Sequence, residues 1–157
     1  MALSIRAATA GDETHWRRLW AGYVAFSGTE LAEDIISLTW SRLIDPAAPL
    51  FARLAILDGE PVGFAICQEQ LATFFRRPIG YIEDLYVDPS ARGRGVARAM
   101  IDDLVALCRT SDWDRLYWYT ERNNAAARRL YDRYSATDDH VRYKLNFGTS
   151  AGAGKSA

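Results

Sequence analysis

Cysteine, histidine and any excess of charge are what this chain lacks. Only 2 cysteines and 2 histidines occur in 157 residues. Cys67 and Cys108 both lie in apolar periodic segments, which reads as two buried thiols rather than a disulfide or a metal pair. His15 and His140 stand alone, without metal-ligand spacing, so both are expected at the surface. The 19 basic and 20 acidic side chains leave a net charge of -1, which argues against a nucleic-acid partner, since such a partner asks for a basic face. No run approaches the roughly eighteen consecutive apolar residues of a membrane span, and the first residues lack the charged start and apolar core of a secretion signal. A cytoplasmic protein with no membrane partner is the expectation.

What is present suits one globular domain. A composition 49% hydrophobic and 25% charged lets a chain of this length bury about two-thirds of its unfolded surface. We read residues 1–147 as that domain and the small, polar residues 148–157 as a disordered tail.

The period of the apolar residues sets out the elements in order. Leu3 to Ala8 alternates as a strand, ended by Thr9-Ala10-Gly11-Asp12. Asp12 or Thr14 is placed to cap a helix carrying Trp16, Leu19, Trp20, Tyr23, Val24 and Phe26, broken at Ser27-Gly28. A second helix is expected to start with Thr29 as its cap and to stop by Asp45-Pro46. Phe51–Leu57 and Val62–Leu71, flanking Asp58-Gly59, read as a hairpin. Phe74 and Phe75 lie in a following loop and are expected to pack. Arg115–Thr120 reads as a buried strand parallel to the central one, Asn123–Tyr134 as a short helix, and Val141–Phe147 as a last strand.

The rest is organised around the stretch from Gly80 to Cys108. Tyr81, Ile82, Leu85, Tyr86 and Val87 form a strand pattern stopped by Asp88-Pro89. From Val96 the period changes: Val96, Met100, Leu104 and Leu107 mark one apolar face of a helix. A strand, a turn holding Gly93 and Gly95, and a helix start gather unpaired N–H groups at the positive end of the helix dipole. The guest that fits is a phosphate, and Arg92, Arg94 and Arg98 add charge for a pyrophosphate. Period two places Glu83 with Tyr81 and Leu85, and Asp84 with Ile82 and Tyr86, so one carboxylate faces a given cleft unless the strand is bulged.

Arg92-Gly93-Arg94-Gly95-Val96-Ala97 fits the pattern Arg/Gln-x-x-Gly-x-Gly/Ala, and Asn124, Ala127, Leu130 and Tyr131 fit Asn-x-x-Ala-x-x-Leu-Tyr. Together, over roughly residues 3–145, they resemble the GNAT superfamily of N-acetyltransferases, and within it the diamine/polyamine branch. The resemblance implies a mixed α/β acyl-CoA N-acyltransferase fold, a mostly antiparallel sheet with one splayed parallel pair and about four helices. It implies acetyl-CoA as cofactor, contacted by Leu85, Tyr86 and Val87 of the strand, Arg92, Gly93, Arg94, Gly95, Val96, Ala97 and Arg98 of the turn, and Asn124 and Tyr131. By the same resemblance Tyr131 is the acid for the departing thiolate and Glu83 the base that deprotonates an amine, with Asp84 as the other candidate. A small cationic amine is the implied acceptor, and a homodimer is left open because many family members pair.

Two departures bear on that reading. Ser135 and Ala136 stand where the family places Gly and often an aromatic, and Asn123 could replace Asn124 if the register slips by one. The alternatives are an acyl-CoA-binding sensor without catalysis and an acetyltransferase for a peptide or protein lysine.

Overall fold

In a computed structural model, which describes residues 1–148, the pattern resolves into β1 (Leu3–Ala7), α1 (Glu13–Ser27), α2 (Glu33–Ile44), β2 (Leu50–Leu57), β3 (Glu60–Gln70), β4 (Ile79–Val87), α3 (Val96–Thr110), β5 (Arg115–Trp118) and α4 (Ala125–Tyr131). The expectation for 148–157 lies outside the described residues, apart from Gly148. The turn between β2 and β3 has positive φ at both Asp58 (52°) and Gly59 (90°). A two-residue hairpin requires that geometry, because its twist then matches the strands it joins.

The strands form one sheet in chain order, β1 to β5. Every pair is antiparallel except β4–β5, and α3 makes the crossover that a parallel pair needs. α1 and α2 cover one face, where Trp16 stacks on Trp20 at 5.1 Å and tilts against Trp40 at 5.2 Å over Phe64 and Leu54. α3 covers the other, pressing Val96, Met100 and Leu104 onto Ala55, Ala65 and Ile82. Cys67 and Cys108 are free and buried, as their periodic settings implied, and burial pushes the Cys67 thiol up to about 12. No helix among the described residues is long and apolar enough to cross a membrane.

Some boundaries differ from the sequence reading, each for a local reason. Thr29 does not cap α2. Gly28, at φ 69°, closes α1, and the residues after it cross to α2 with Leu31 packed on the tryptophan cluster, so the helix starts only at Glu33. Asp12 precedes α1 without capping it through its side chain. Its carboxylate accepts instead from Thr9 N and Oγ1 and from both Nη atoms of Arg6, each at 2.8 Å, and these bonds hold its pKa well below the usual carboxylate range. Phe74 does not pack: it is 97% exposed, and only its neighbour Phe75 is covered, by the Arg115 guanidinium 4.4 Å from its ring. β5 ends at Trp118 rather than Thr120, and Val141–Phe147 is not a strand: it pairs with no other segment among the described residues.

Asp12 ties β1 to the start of α1. Replacing it with alanine strands Arg6 and two donors of Thr9, and should lower the unfolding free energy by about 2 kcal/mol in urea melts at pH 7. That deficit should hold down to the unfolded carboxylate value of about 4 and shrink only as pH falls further, towards the lowered native value, because below that point the unfolded chain takes up the proton first.

Candidate active site

β4 and β5 run side by side only for Ile79–Ile82 against Arg115–Trp118. Beyond that point β4 continues to Val87, paired to β3 on one edge and, among the described residues, to no strand on the other. The sheet therefore forks, and the main-chain groups of residues 83–87 on that edge can take another partner.

At the fork the strand is bulged. Ile66 faces Asp84 and Cys67 faces Ile82, so Glu83 is the extra residue with no partner across the ladder. The insertion breaks the alternation expected from period two. Ile82 and Leu85 both reach the α3 side, whereas Asp84 and Tyr86 point toward α1. The Glu83 side chain is exposed; Asp84 is half-buried and accepts a hydrogen bond from the Tyr23 hydroxyl of α1 at 2.5 Å. Tyr23 and the bulge had no sequence signal: only the register of a neighbouring strand creates the one, and only the docking of α1 supplies the other.

Burial pushes the Asp84 carboxyl up to about 6, Tyr23 works against that shift, and the charge of Glu83 adds to it. Burial raises Tyr23 as well, with the charge and hydrogen bond of Asp84 and then the charge of Glu83 adding to it, and Glu83 also raises Tyr81, which burial brings to about 12. The charge of Glu83 is thus felt by a second carboxylate and by Tyr81 and Tyr117. Tyr81 stacks on Tyr117 at 4.9 Å, and Tyr119 stands edge-on to both at 5.9 and 6.0 Å. Because Asp84 holds its proton in the fold up to about pH 6 but releases it near 4 when unfolded, its contribution to stability is complete below about 4 and lost above about 6. An Asp84→Asn variant should therefore gain on the wild type as pH rises between those values, levelling at about 2 kcal/mol above pH 7 in urea melts.

The turn before α3 matches its expected form. Gly93 (φ 74°) and Gly95 (φ 80°) are both left-handed, with open space where a Cβ would project. The first helical bond runs from Ala99 N to Gly95 O, and the six amides from Gly93 to Arg98 have no acceptor among the described residues. Arg92 donates from Nε to Val87 O at 3.1 Å, which ties the turn to the end of β4, and its guanidinium lies 5.8 Å from the Phe26 ring at the end of α1. Arg94 and Arg98 make long, exposed pairs with Asp58 (3.6 Å) and Asp102 (3.7 Å). Such pairs bind weakly, so both side chains can turn to an anion.

Across the fork, Asn124 caps α4: its side-chain oxygen accepts from Ala127 N at 3.3 Å, which sets the helix register on Asn124 rather than Asn123. Tyr131 stands edge-on to Trp118, centroids 5.5 Å apart, and Trp118 pairs with Ile82, the residue before Glu83. Tyr131 is thereby anchored at the end of the parallel pair, and Glu83 is the next residue of β4. The Tyr131 hydroxyl has no hydrogen-bond partner among the described residues, unlike Tyr134, whose hydroxyl donates to Asp102 at 2.7 Å. Burial raises the Tyr131 pKa, which keeps its proton in place at neutral pH. The missing glycine after α4 has a plain explanation. The helix winds out through bonds from Arg133 N, Tyr134 N and Ser135 N without any residue of positive φ, so Ser135 meets no strain.

Glu30, Glu33, Asp34 and Glu121 are the further acids that could extend Glu83 and Asp84 into a mouth for a cation, but Glu33 and Asp34 are engaged elsewhere. Glu33 is held by Arg17 at 2.7 Å and by Ser37, and Asp34 accepts from Ile35 N. Glu30 lines a cavity of about 810 Å³ between α1 and α2, with Trp20, Val24 and Leu31. His15 and His140 are exposed, and the described residues hold no cluster that could bind a metal.

Residues 13–135 match the model of the acetyltransferase (GNAT) family. The chain belongs to the GNAT family. It is 31% identical to the D-amino-acid N-acetyltransferase HPA3 of Saccharomyces cerevisiae over 144 residues, 90% of this chain and 89% of that protein. It is 35% identical to an aminoglycoside N(6')-acetyltransferase type 1 of Stenotrophomonas maltophilia over 103 residues, 64% of this chain and 63% of the other. The crystal structure of a ribosomal-protein-alanine N-acetyltransferase from Brucella melitensis superposes with a TM-score of 0.77 at 25% identity, over 94% of this chain and 100% of that one. The mixed sheet with its single parallel pair is the GNAT fold, and the chain is an N-acetyltransferase. GNAT membership implies use of acetyl-CoA, and the six free amides with two open glycines fit its diphosphate. None of these three relatives is a diamine or polyamine acetyltransferase.

Proposed function

We propose that the chain transfers the acetyl group of acetyl-CoA directly to the primary amine of a small cationic molecule, with Glu83 as base and Tyr131 as acid. The observation that carries this is the fork. β4 has a free edge beyond Ile82, α3 opens with six acceptorless amides past the end of that strand, Glu83 stands at the bulge, and Tyr131 packs on Trp118, whose partner in the ladder is Ile82.

The turn from Arg92 to Arg98 would grip the diphosphate through its amides and the forks of Arg92, Arg94 and Arg98. The open edge formed by Leu85, Tyr86 and Val87, together with Asn124, would hold the pantetheine arm along the fork. Bound there, the coenzyme supplies an activated acetyl thioester. A main-chain N–H of that same edge would stabilise charge growing on the acetyl oxygen. Glu83, exposed at the bulge, takes a proton from the incoming ammonium, directly or through water, because only the neutral amine has a lone pair. Tyr131, its hydroxyl unengaged, gives its proton to the departing sulfur. Fixing both reactants at one fork supplies much of the rate, as in other direct transfers, and no acyl-enzyme is needed: Cys67 is buried with a thiol pushed up to about 12.

Amino acids and aminoglycosides are the acceptors named for two relatives. Both are small and amine-bearing, which supports a small-molecule acceptor here, and the tyrosine row of Tyr81, Tyr117 and Tyr119 beside Glu83 suits a cation. Following thiol release from acetyl-CoA over a panel of D- and L-amino acids, diamines and aminoglycosides tests this. Turnover with at least one of these is expected. Binding of coenzyme A by calorimetry with no turnover on any acceptor would instead make the chain an acyl-CoA sensor.

A further inference from the structure

Asp84 sits where a carboxylate is hard to keep charged. It is half-buried on the α1 side of β4, opposite Ile66 of β3, and no cation acts on it among the described residues. Its side chain has one hydrogen-bond partner there, the Tyr23 hydroxyl. Its neighbour in the chain, Glu83, is a second acid whose charge adds to the burial that favours the proton. A neutral side chain would serve the fold better, which is why Asp84→Asn should stabilise. A strand that keeps such a charge at the point where the reaction is placed has a use for it.

Tyr23 is built into the fold so as to meet that carboxylate. A side chain at Gly22 would collide with the Tyr86 ring, so glycine there lets α1 lie close on β4. The Tyr23 ring is held by Trp20, Phe64 and Tyr86, with centroids 5.3, 5.8 and 6.1 Å away, and its hydroxyl is left to donate to Asp84. A hydrogen bond donated to an ionised oxygen favours the charged form. Burial and the two carboxylates hold the Tyr23 proton in place far above neutral pH, so the donor is always available. The groups acting on Asp84 are therefore Tyr23 from α1 and Glu83 from its own strand; Tyr81 feels Asp84 in turn, and β3 adds only the apolar Ile66 and Phe64 to that side.

We propose that Tyr23 is a positioning residue of the acetyl transfer: by donating to Asp84 it keeps that carboxylate charged beside Glu83, so that the bulge presents two negative charges to the ammonium of the acceptor. This role rests on the acetylation of an amine at the bulge. Tyr23 acts through Asp84 and needs no contact with either substrate. Held at about 6, the Asp84 carboxyl is ionised at neutral pH. Without the hydroxyl it would take up its proton in the neutral range, and one of the two charges would be lost.

Tyr23→Phe keeps the three ring contacts and removes only the donor. The acid limb of its kcat/KM profile for an amine acceptor should move up by about one to two pH units, the usual size of one hydrogen bond to a charged group. The gap from wild type should be widest near pH 7, about tenfold, the scale of a unit charge acting over several ångströms close to water. It should close below about pH 5 and above about pH 9, where Asp84 is in the same state in both proteins, with the KM for acetyl-CoA unchanged throughout. A residue that only packs would lower activity by one factor at every pH. Asp84→Asn should show the pH 7 loss by itself, and adding Tyr23→Phe to it should lower kcat/KM no further, because the route through Asp84 is already gone. Urea melts read the same coupling without turnover: the pH at which stability stops falling should be higher in Tyr23→Phe by the same one to two units. Superimposable profiles and melts, or losses that multiply in the double variant, would overturn the inference and leave the acetyl transfer standing. A wild type that binds coenzyme A and acetylates no amine would overturn the acetyl transfer, and this role with it.

Discussion

Tyr131→Phe should lower kcat by about a hundredfold or more and leave the KM for acetyl-CoA nearly unchanged, in a thiol-release assay near pH 7.5. The size follows from what the change removes. Phenylalanine keeps the edge-on contact with Trp118, so α4 and the fork should hold their places. The hydroxyl has no partner among the described residues whose loss could disturb the fold. What goes is one proton at the point where a thiolate departs, and burial has raised the tyrosine's pKa, so that proton is in place throughout the neutral range. A thiolate leaves poorly when unprotonated below the ordinary thiol pKa of about 8.5, so the deficit should be largest at low pH and shrink above pH 9. If turnover stays within a few-fold of wild type, Tyr131 is a packing residue, and the acid must be sought elsewhere at the fork.

Glu83→Gln should cost a comparable factor in kcat/KM at pH 7, with a different signature. An alkyl ammonium has a pKa near 10, so in solution about one amine in a thousand is neutral at pH 7, and a base at the site overcomes that scarcity. As pH rises, solution supplies the neutral amine and the variant should recover toward the wild type. A loss of constant size at every pH would mean that Glu83 binds the acceptor's charge without moving its proton. Should Glu83→Gln be mild and Asp84→Asn severe, the role belongs to Asp84. Its carboxyl, titrating at about 6, is ionised at neutral pH and close to Tyr23. The two variants also separate by stability: Asp84→Asn should stabilise above pH 6, whereas the exposed Glu83 side chain should leave the melt almost unchanged.

Local pattern alone determined most of the elements and the form of the glycine turn before α3. Strands and helices follow the period of apolar residues, and a turn that needs positive φ at two places requires glycine there, as at Gly93 and Gly95. The Asn124 to Tyr131 spacing is of the same kind, because residues three and seven apart on a helix share a side whatever surrounds them. Asp58-Gly59 likewise announced its hairpin.

Tertiary structure decided everything that depends on a second element. The bulge that releases Glu83 from the alternation exists only in the register of β4 against β3, and Asp84 acquires Tyr23 only when α1 docks. Asp12 looked like a helix cap until Arg6 on β1 came within reach, and Phe74 looked like core until no surface came to cover it. Val141–Phe147 has the alternating pattern of a strand, but a strand is made by pairing, and among the described residues this segment pairs with none. Pattern is a property of a segment, whereas pairing, burial and a shifted proton are properties of two segments brought together.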